Sequence, residues 1–99
     1  MTELHKTPEF EEWLNEQPLK SKLQIDDRLL HIACDDYFGT CKRLTDYIWE
    51  LKWANGRRIY HAYLAEYDVL LLLGGNKNGQ NKDITRSKKI LRQYTEASS

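Results

Sequence analysis

The strongest constraint in this chain lies at Asn55-Gly56, an Asn-Gly pair set between two runs of alternating polarity. Both residues tolerate the positive φ that a tight turn asks for, so the chain is predicted to double back there as a β-hairpin. On the incoming side, Trp49, Leu51 and Trp53 alternate with Ile48, Glu50 and Lys52. Side chains in a strand alternate faces, so one face is aromatic and apolar while the other carries charge, and Lys52 is expected to point away from the core. On the return side, Arg57 to Leu64 puts Arg58 and Tyr60 on one face and Arg57, Ile59, His61 and Tyr63 on the other. Val69 to Leu73 is an unbroken apolar run closed by Gly74-Gly75. That pattern belongs to a strand covered on both sides, here taken as the sheet centre.

Elements upstream and downstream follow from local signals. Thr2 to Lys6 is a short candidate strand, with Leu4 inward and Glu3 and His5 flanking it. Thr7-Pro8-Glu9 is a helix start: a hydroxyl cap, proline at the first helical position, then acids at the positive end of the helix dipole. Phe10, Trp13 and Leu14 follow at helical spacing, Gln17-Pro18 interrupts, and a second helix is predicted from about Lys20 to Cys34. Its apolar face is Leu23, Ile25, Leu29, Leu30, Ile32 and Ala33, and the two helices form an antiparallel hairpin over one face of the sheet. Asp35 to Asp46 reads as a loop hinged at Gly39, with Lys42 and Arg43 on the way out. Such a pair of loop cations is ordinarily solvated, although at the mouth of a sheet it can meet phosphate. Gly74 to Ile84 reads as a flexible polar segment containing Lys77 and Lys82, whose free backbone N–H groups could cradle an anion. A basic amphipathic helix is predicted from about Asp83 to Tyr94, with Ile84, Ser87, Ile90 and Leu91 on one side and Arg86, Lys88, Lys89 and Arg92 on the others. Thr95 to Ser99 is expected to be a frayed tail.

A chain of 99 residues supports a single core and one domain, residues 1–99. With 40% hydrophobic and 30% charged residues it is expected to be globular rather than disordered. The formal net charge is zero, but residues 1–50 carry 6 Lys+Arg against 11 Asp+Glu and residues 51–99 carry 9 against 4. The second half is the better anion binder. Cys34 and Cys41 have no CxxC spacing and no nearby histidine at ligand spacing, so they are read as reduced thiols of a cytoplasmic protein rather than zinc ligands. The longest apolar run is far short of a membrane span.

An anion site needs cations held on a rigid face. Lys52, Arg58, Tyr60, Lys77 and Lys82 are expected on one side of the sheet, with Glu50 as a possible base. Such a cluster suits a phosphodiester, whose growing charge it can stabilise without a metal or other cofactor. The carboxylates lie mainly in the helical half, and no His-x-x-x-His motif is present. His61, on the inner face, reads as a core residue, and Trp13, Trp49 and Trp53 read as core rather than as base-stacking platforms. Tyr60, beside Arg58, is the aromatic candidate for RNA contact.

In element order and local motifs the chain resembles the small toxins of bacterial type II toxin-antitoxin modules, the RelE/ParE superfamily, and within it the addiction-module killer proteins related to HigB. The resemblance is carried by KTPEF at Lys6 to Phe10 with Trp13-Leu14 behind it, WEL at Trp49 to Leu51, Gly56 to Tyr60, LLLGGNK at Leu71 to Lys77 and KDI at Lys82 to Ile84. It spans roughly residues 3 to 94. It implies an α+β fold, β-α-α-β-β-β-α, with an antiparallel-rich sheet of about four strands. It further implies ribosome-dependent cleavage of messenger RNA, in which the ribose 2′-OH attacks the adjacent phosphate. Arg58 matches the strand arginine of the family, Lys52 the basic residue of the preceding strand, and Lys77 and Lys82 the cationic segment after the last strand. These four are the expected catalytic residues, with Tyr60, Lys42, Arg43 and Arg86 as expected RNA contacts. The implied partners are the ribosome, mRNA and a cognate antitoxin carrying a helix-turn-helix, in a toxin-antitoxin hetero-oligomer. A gyrase inhibitor of the ParE kind and a catalytically degenerate binding partner are the alternatives on the same fold.

Overall fold

The structure, a computed structural model, describes residues 1–98. In chain order the elements are β1 (Glu3–Lys6), α1 (Pro8–Asn15), α2 (Leu19–Asp35), β2 (Cys41–Arg43), β3 (Trp49–Lys52), β4 (Arg57–Ala65), β5 (Asp68–Asn76), a 3₁₀ turn (Lys77–Gly79) and α3 (Gln80–Ser98). The strands form one sheet in the order β1-β5-β4-β3-β2, antiparallel except for the β1–β5 pair. The architecture is the expected α+β one with a fifth strand added. Cys41 to Arg43, expected as loop, pairs with Leu51 to Trp49 as β2. β4, not β5, is the middle strand, although Val69 to Leu73 is buried throughout as the apolar run requires.

The α1 start forms as its sequence dictates. Thr7 sits in extended backbone, and its hydroxyl accepts a hydrogen bond from Phe10 N at 3.0 Å while donating to the carbonyl of Leu72 at 2.9 Å. One side chain thus caps the helix and fastens it to β5. Phe10 of α1 and Ile25, Leu29 and Ile32 of α2 pack on Leu51, Ile59, Val69 and Leu71 of the sheet. Leu23 and Leu30, read as part of that apolar face, lie outside it and are exposed.

The opposite sheet face is also covered. α3 packs Ile90, with Ile84, Leu91 and Tyr94 beside it, on Ile48, Tyr60, Ala62, Leu70, Leu72 and Leu73. An open, charged sheet face was expected here. The correction has a simple cause: the Ile48–Glu50–Lys52 and Arg58–Tyr60–Ala62 sets contain enough apolar surface to need a cover, and the apolar side of α3 supplies it. α3 also starts earlier and ends later than predicted. It takes in the second half of the segment read as a flexible loop and runs through most of the segment read as a frayed tail; Ser99 lies outside the described residues.

A β-bulge sets which face the end of β5 presents. Tyr60 pairs with Leu73 and His61 with Leu71, so Leu72 is extra. Leu72 and Leu73 therefore both reach the α3 side, and Gly75 comes to lie on that side opposite Arg58.

Candidate anion site at the end of the sheet

The hairpin at Asn55-Gly56 forms, though not as a two-residue turn. Gly56 N donates to Trp53 O at 3.1 Å, Trp53 N donates to Arg57 O at 3.0 Å, and only Gly56 takes a positive φ, +96°. The Asn55 side chain accepts from Arg57 N at 3.0 Å, closing the loop locally. This is a type I turn followed by a left-handed glycine, one of the common hairpin closures. Lys77 then crosses the turn: its N–H donates to Gly56 O at 2.9 Å, and its methylenes lie where a side chain at position 56 would contact them.

This turn gathers three of the four expected catalytic cations. Lys52 and Arg58 are cross-strand partners on one face, and Gly75 lies on the other side of Arg58. Because Gly75 has no side chain, the Asp83 carboxylate of α3 closes onto its Cα; a methyl group there would overlap Asp83 Oδ2. Lys82, the fourth, is exposed at the start of α3. Of the expected RNA contacts, Lys42 is exposed opposite Glu50 on β2, Arg43 is held by its own turn through Thr45 O and Asp46, and Arg86 is exposed farther along α3. Tyr60 corrects its expectation outright. It is 0% exposed beneath α3, and its hydroxyl has no hydrogen-bond partner among the described residues. It therefore offers no face to a base.

The electrostatics centre on residues that sequence reasoning undervalued or missed. Glu50, read as an accessible base, is 1% exposed. Its Oε2 accepts from Gln80 Nε2 at 2.7 Å, and its Oε1 lies 3.6 Å from Arg58 Nε, whose side chain is 12% exposed. Burial, with Asp83 and Glu50 adding, pushes the Tyr60 phenol up to about 12, and the nearby Arg58 only partly offsets this. Asp83 is also raised, first by burial, against the opposing pull of Arg86 and Lys82. The alternation that put Glu50 with Ile48 was the available signal for its burial; Gln80 and Asp83 had none in the local pattern.

On the other face, Arg28 is a structural cation. It donates to the carbonyls of Phe38, Thr40 and Lys52, and it stacks 4.3 Å from the Trp53 ring centroid. His61 is fully buried as expected, its pKa lowered to about 4 by burial first and then by Arg28. Cys34 and Cys41 are both unpaired thiols, and burial pushes Cys41 up. Among the described residues no helix is long and apolar enough to cross a membrane.

The helical hairpin on one sheet face and α3 on the other give this chain the fold seen in RelE structures. The chain matches the isolated RelE toxin of Escherichia coli at a TM-score of 0.64 and 13% identity, over 87% of this chain and 98% of that one. It matches a chain of the RelBE2 toxin-antitoxin complex of Mycobacterium tuberculosis at 0.62 and 12%, over 74% and 94%. In sequence it is 33% identical over 88 residues to an uncharacterized protein of Haemophilus influenzae, covering 85% of this chain and 87% of that one, and it belongs to the same family as that protein. No protein-family model matches the chain.

Proposed function

We propose that this chain is the toxin of a type II toxin-antitoxin module and that it acts in the cytoplasm as a ribosome-dependent, metal-independent mRNA endoribonuclease. The observation that carries the reading is the cross-strand Lys52–Arg58 pair, joined by Lys77 at the hairpin turn, at the sheet end of a RelE-like fold. Two lysines reaching solvent and one guanidinium fixed behind them can hold a phosphodiester while the 2′-OH attacks and negative charge grows on the phosphoryl oxygens. Lys82 contributes at the start of α3. Tyr60 and Arg43 are left out of the RNA-contacting set, the first because it is buried and the second because its own turn occupies it, and Arg86 is assigned to a separate surface, the exposed stripe of α3. The partner is an antitoxin that covers these cations; a protein of this fold in Mycobacterium tuberculosis is found in a toxin-antitoxin complex.

A second reading, a degenerate member kept as a binding partner, is favoured by Glu50. A buried carboxylate beside Arg58 takes up part of the charge that a phosphate would otherwise meet.

The test is induced expression in bacteria with mapping of new 5′ ends on translated and untranslated copies of one message, for the wild type and for Lys52→Ala and Lys77→Ala. Cuts confined to the translated copy and lost in both variants are expected. Growth arrest without cuts but with DNA damage would transfer the protein to the gyrase-directed class, and absence of arrest would favour the degenerate partner.

A further inference from the structure

At the free edge of the sheet, away from the cation cluster, the parallel pairing of β1 with β5 assembles three groups from distant parts of the chain. Glu3 is the register partner of Asp68, and His5, two residues along β1, shares its face. Both carboxylates converge on one imidazole nitrogen: His5 Nε2 lies 2.5 Å from Asp68 Oδ1 and 3.9 Å from Glu3 Oε1. The three potential ligand atoms lie within 4.8 Å of one another. The backbone holds them there, because Glu3 N donates to Tyr67 O at 2.8 Å and Tyr67 takes φ 61° immediately before Asp68.

We infer that Glu3, His5 and Asp68 form a binding site for a divalent transition-metal ion of the Zn²⁺ class, which clamps β1 to β5. Zn²⁺ binds imidazole nitrogen and carboxylate oxygen at about 2.0–2.2 Å, so ligands sharing one ion sit roughly 3.3 Å apart. Opening the His5–Asp68 contact and closing the Glu3–His5 approach, each by less than about 1 Å, brings both pairs to that spacing. One neutral nitrogen and two carboxylates balance the ion's charge. The mixed nitrogen and oxygen set favours Zn²⁺ over Mg²⁺ or Ca²⁺, which take oxygen ligands. Partial exposure, 35% for the His5 side chain and 33% for Asp68, leaves the remaining coordination positions open to water.

The second histidine and carboxylate cluster on the surface cannot act in this way. On α2, Asp27 approaches Nε2 of His31 at 3.8 Å while Asp35 approaches Nδ1 at 3.4 Å. Two carboxylates on opposite ring nitrogens do not share an ion, so His31→Gln is the internal control.

The experiment is calorimetric titration of the untagged full chain with ZnCl2, alongside thermal melts with and without the ion. One equivalent of Zn²⁺ is expected, with the melting temperature raised by several degrees, since an ion bound only by the folded chain stabilises it. Uptake should be lost in both His5→Gln and Asp68→Asn, weakened in Glu3→Gln and kept in His31→Gln, with MgCl2 giving no shift. Failure of the wild type to take up Zn²⁺, or uptake that survives His5→Gln and Asp68→Asn, overturns the site.

Discussion

Glu50 is where burial and charge conflict most sharply in this chain. A carboxylate 1% exposed must be paired or it costs several kcal/mol, and its partners are Gln80 and the Arg58 guanidinium. The consequence reverses the expectation for a cation on an open strand face, whose removal would be nearly neutral. Arg58→Ala should cost about 3–5 kcal/mol of stability because it strands Glu50, and Glu50→Gln in the same chain should return much of that loss. Urea denaturation of the two single variants and the double variant checks it, and additive losses would mean that the pair is not coupled. His61 makes a second residue-level prediction. Its pKa falls from 6.5 to about 4 on folding, so between those values the unfolded chain binds the extra proton. Its contribution is complete above pH 6.5 and drains away as pH falls toward 4, by roughly 3 kcal/mol in all. His61→Phe should flatten that limb in urea midpoints measured from pH 4 to 7; an unchanged slope would assign the acid sensitivity to other groups.

At the scale of elements, the two glycines closing β5 do different things although they are adjacent. A methyl group at Gly74 would overlap the indole of Trp13, a ring packed against the core, whereas one at Gly75 meets only the end of the Asp83 side chain, which can swing aside. Gly74→Ala should therefore lower stability by about 1–3 kcal/mol and Gly75→Ala by clearly less, as read from thermal melts. Equal losses would mean that α1 does not sit as close to β5 as described. The same elements show what local pattern can carry. Thr7-Pro8, the Val69 to Leu73 run and the Asn55-Gly56 turn each hold their signal within a few residues, and each formed. Cys41-Lys42-Arg43 is a strand only because β3 lies beside it, and three residues with two cations hold no period of their own. The amphipathic face of α3 was legible, but the sheet face it would cover was not, and that single unknown turned Tyr60 from an RNA contact into core and Glu50 from a base into a counter-ion. Lys52 and Arg58 came together because they flank one hairpin, which sequence distance alone makes legible, whereas Lys77 reaches the turn only through the pairing of β5 with β4.

Across the whole molecule the charge is divided, with an excess of 5 acidic residues in the first half and of 5 basic residues in the second. Two separate surfaces could use that basic excess: the sheet end with Lys52, Lys77 and Lys82, and the exposed stripe of α3 with Arg86, Lys88, Lys89 and Arg92. The two can be told apart by counting the counterions released on binding single-stranded RNA. The logarithm of the binding constant falls against the logarithm of salt concentration with a slope of about −0.7 per phosphate neutralised, so the sheet end alone, with about three free cations, should give roughly −2. Engagement of the α3 stripe as well would take the slope to about −5. Fluorescence anisotropy of a labelled oligoribonucleotide between about 50 and 200 mM salt reads it directly. The expected result is weak binding with the shallow slope, unchanged by Lys88→Glu/Lys89→Glu and made shallower by Lys52→Ala. A steep slope abolished by the α3 substitutions would move the RNA surface to the helix, and Lys52 and Lys77 would then be left with the antitoxin rather than the message as their partner.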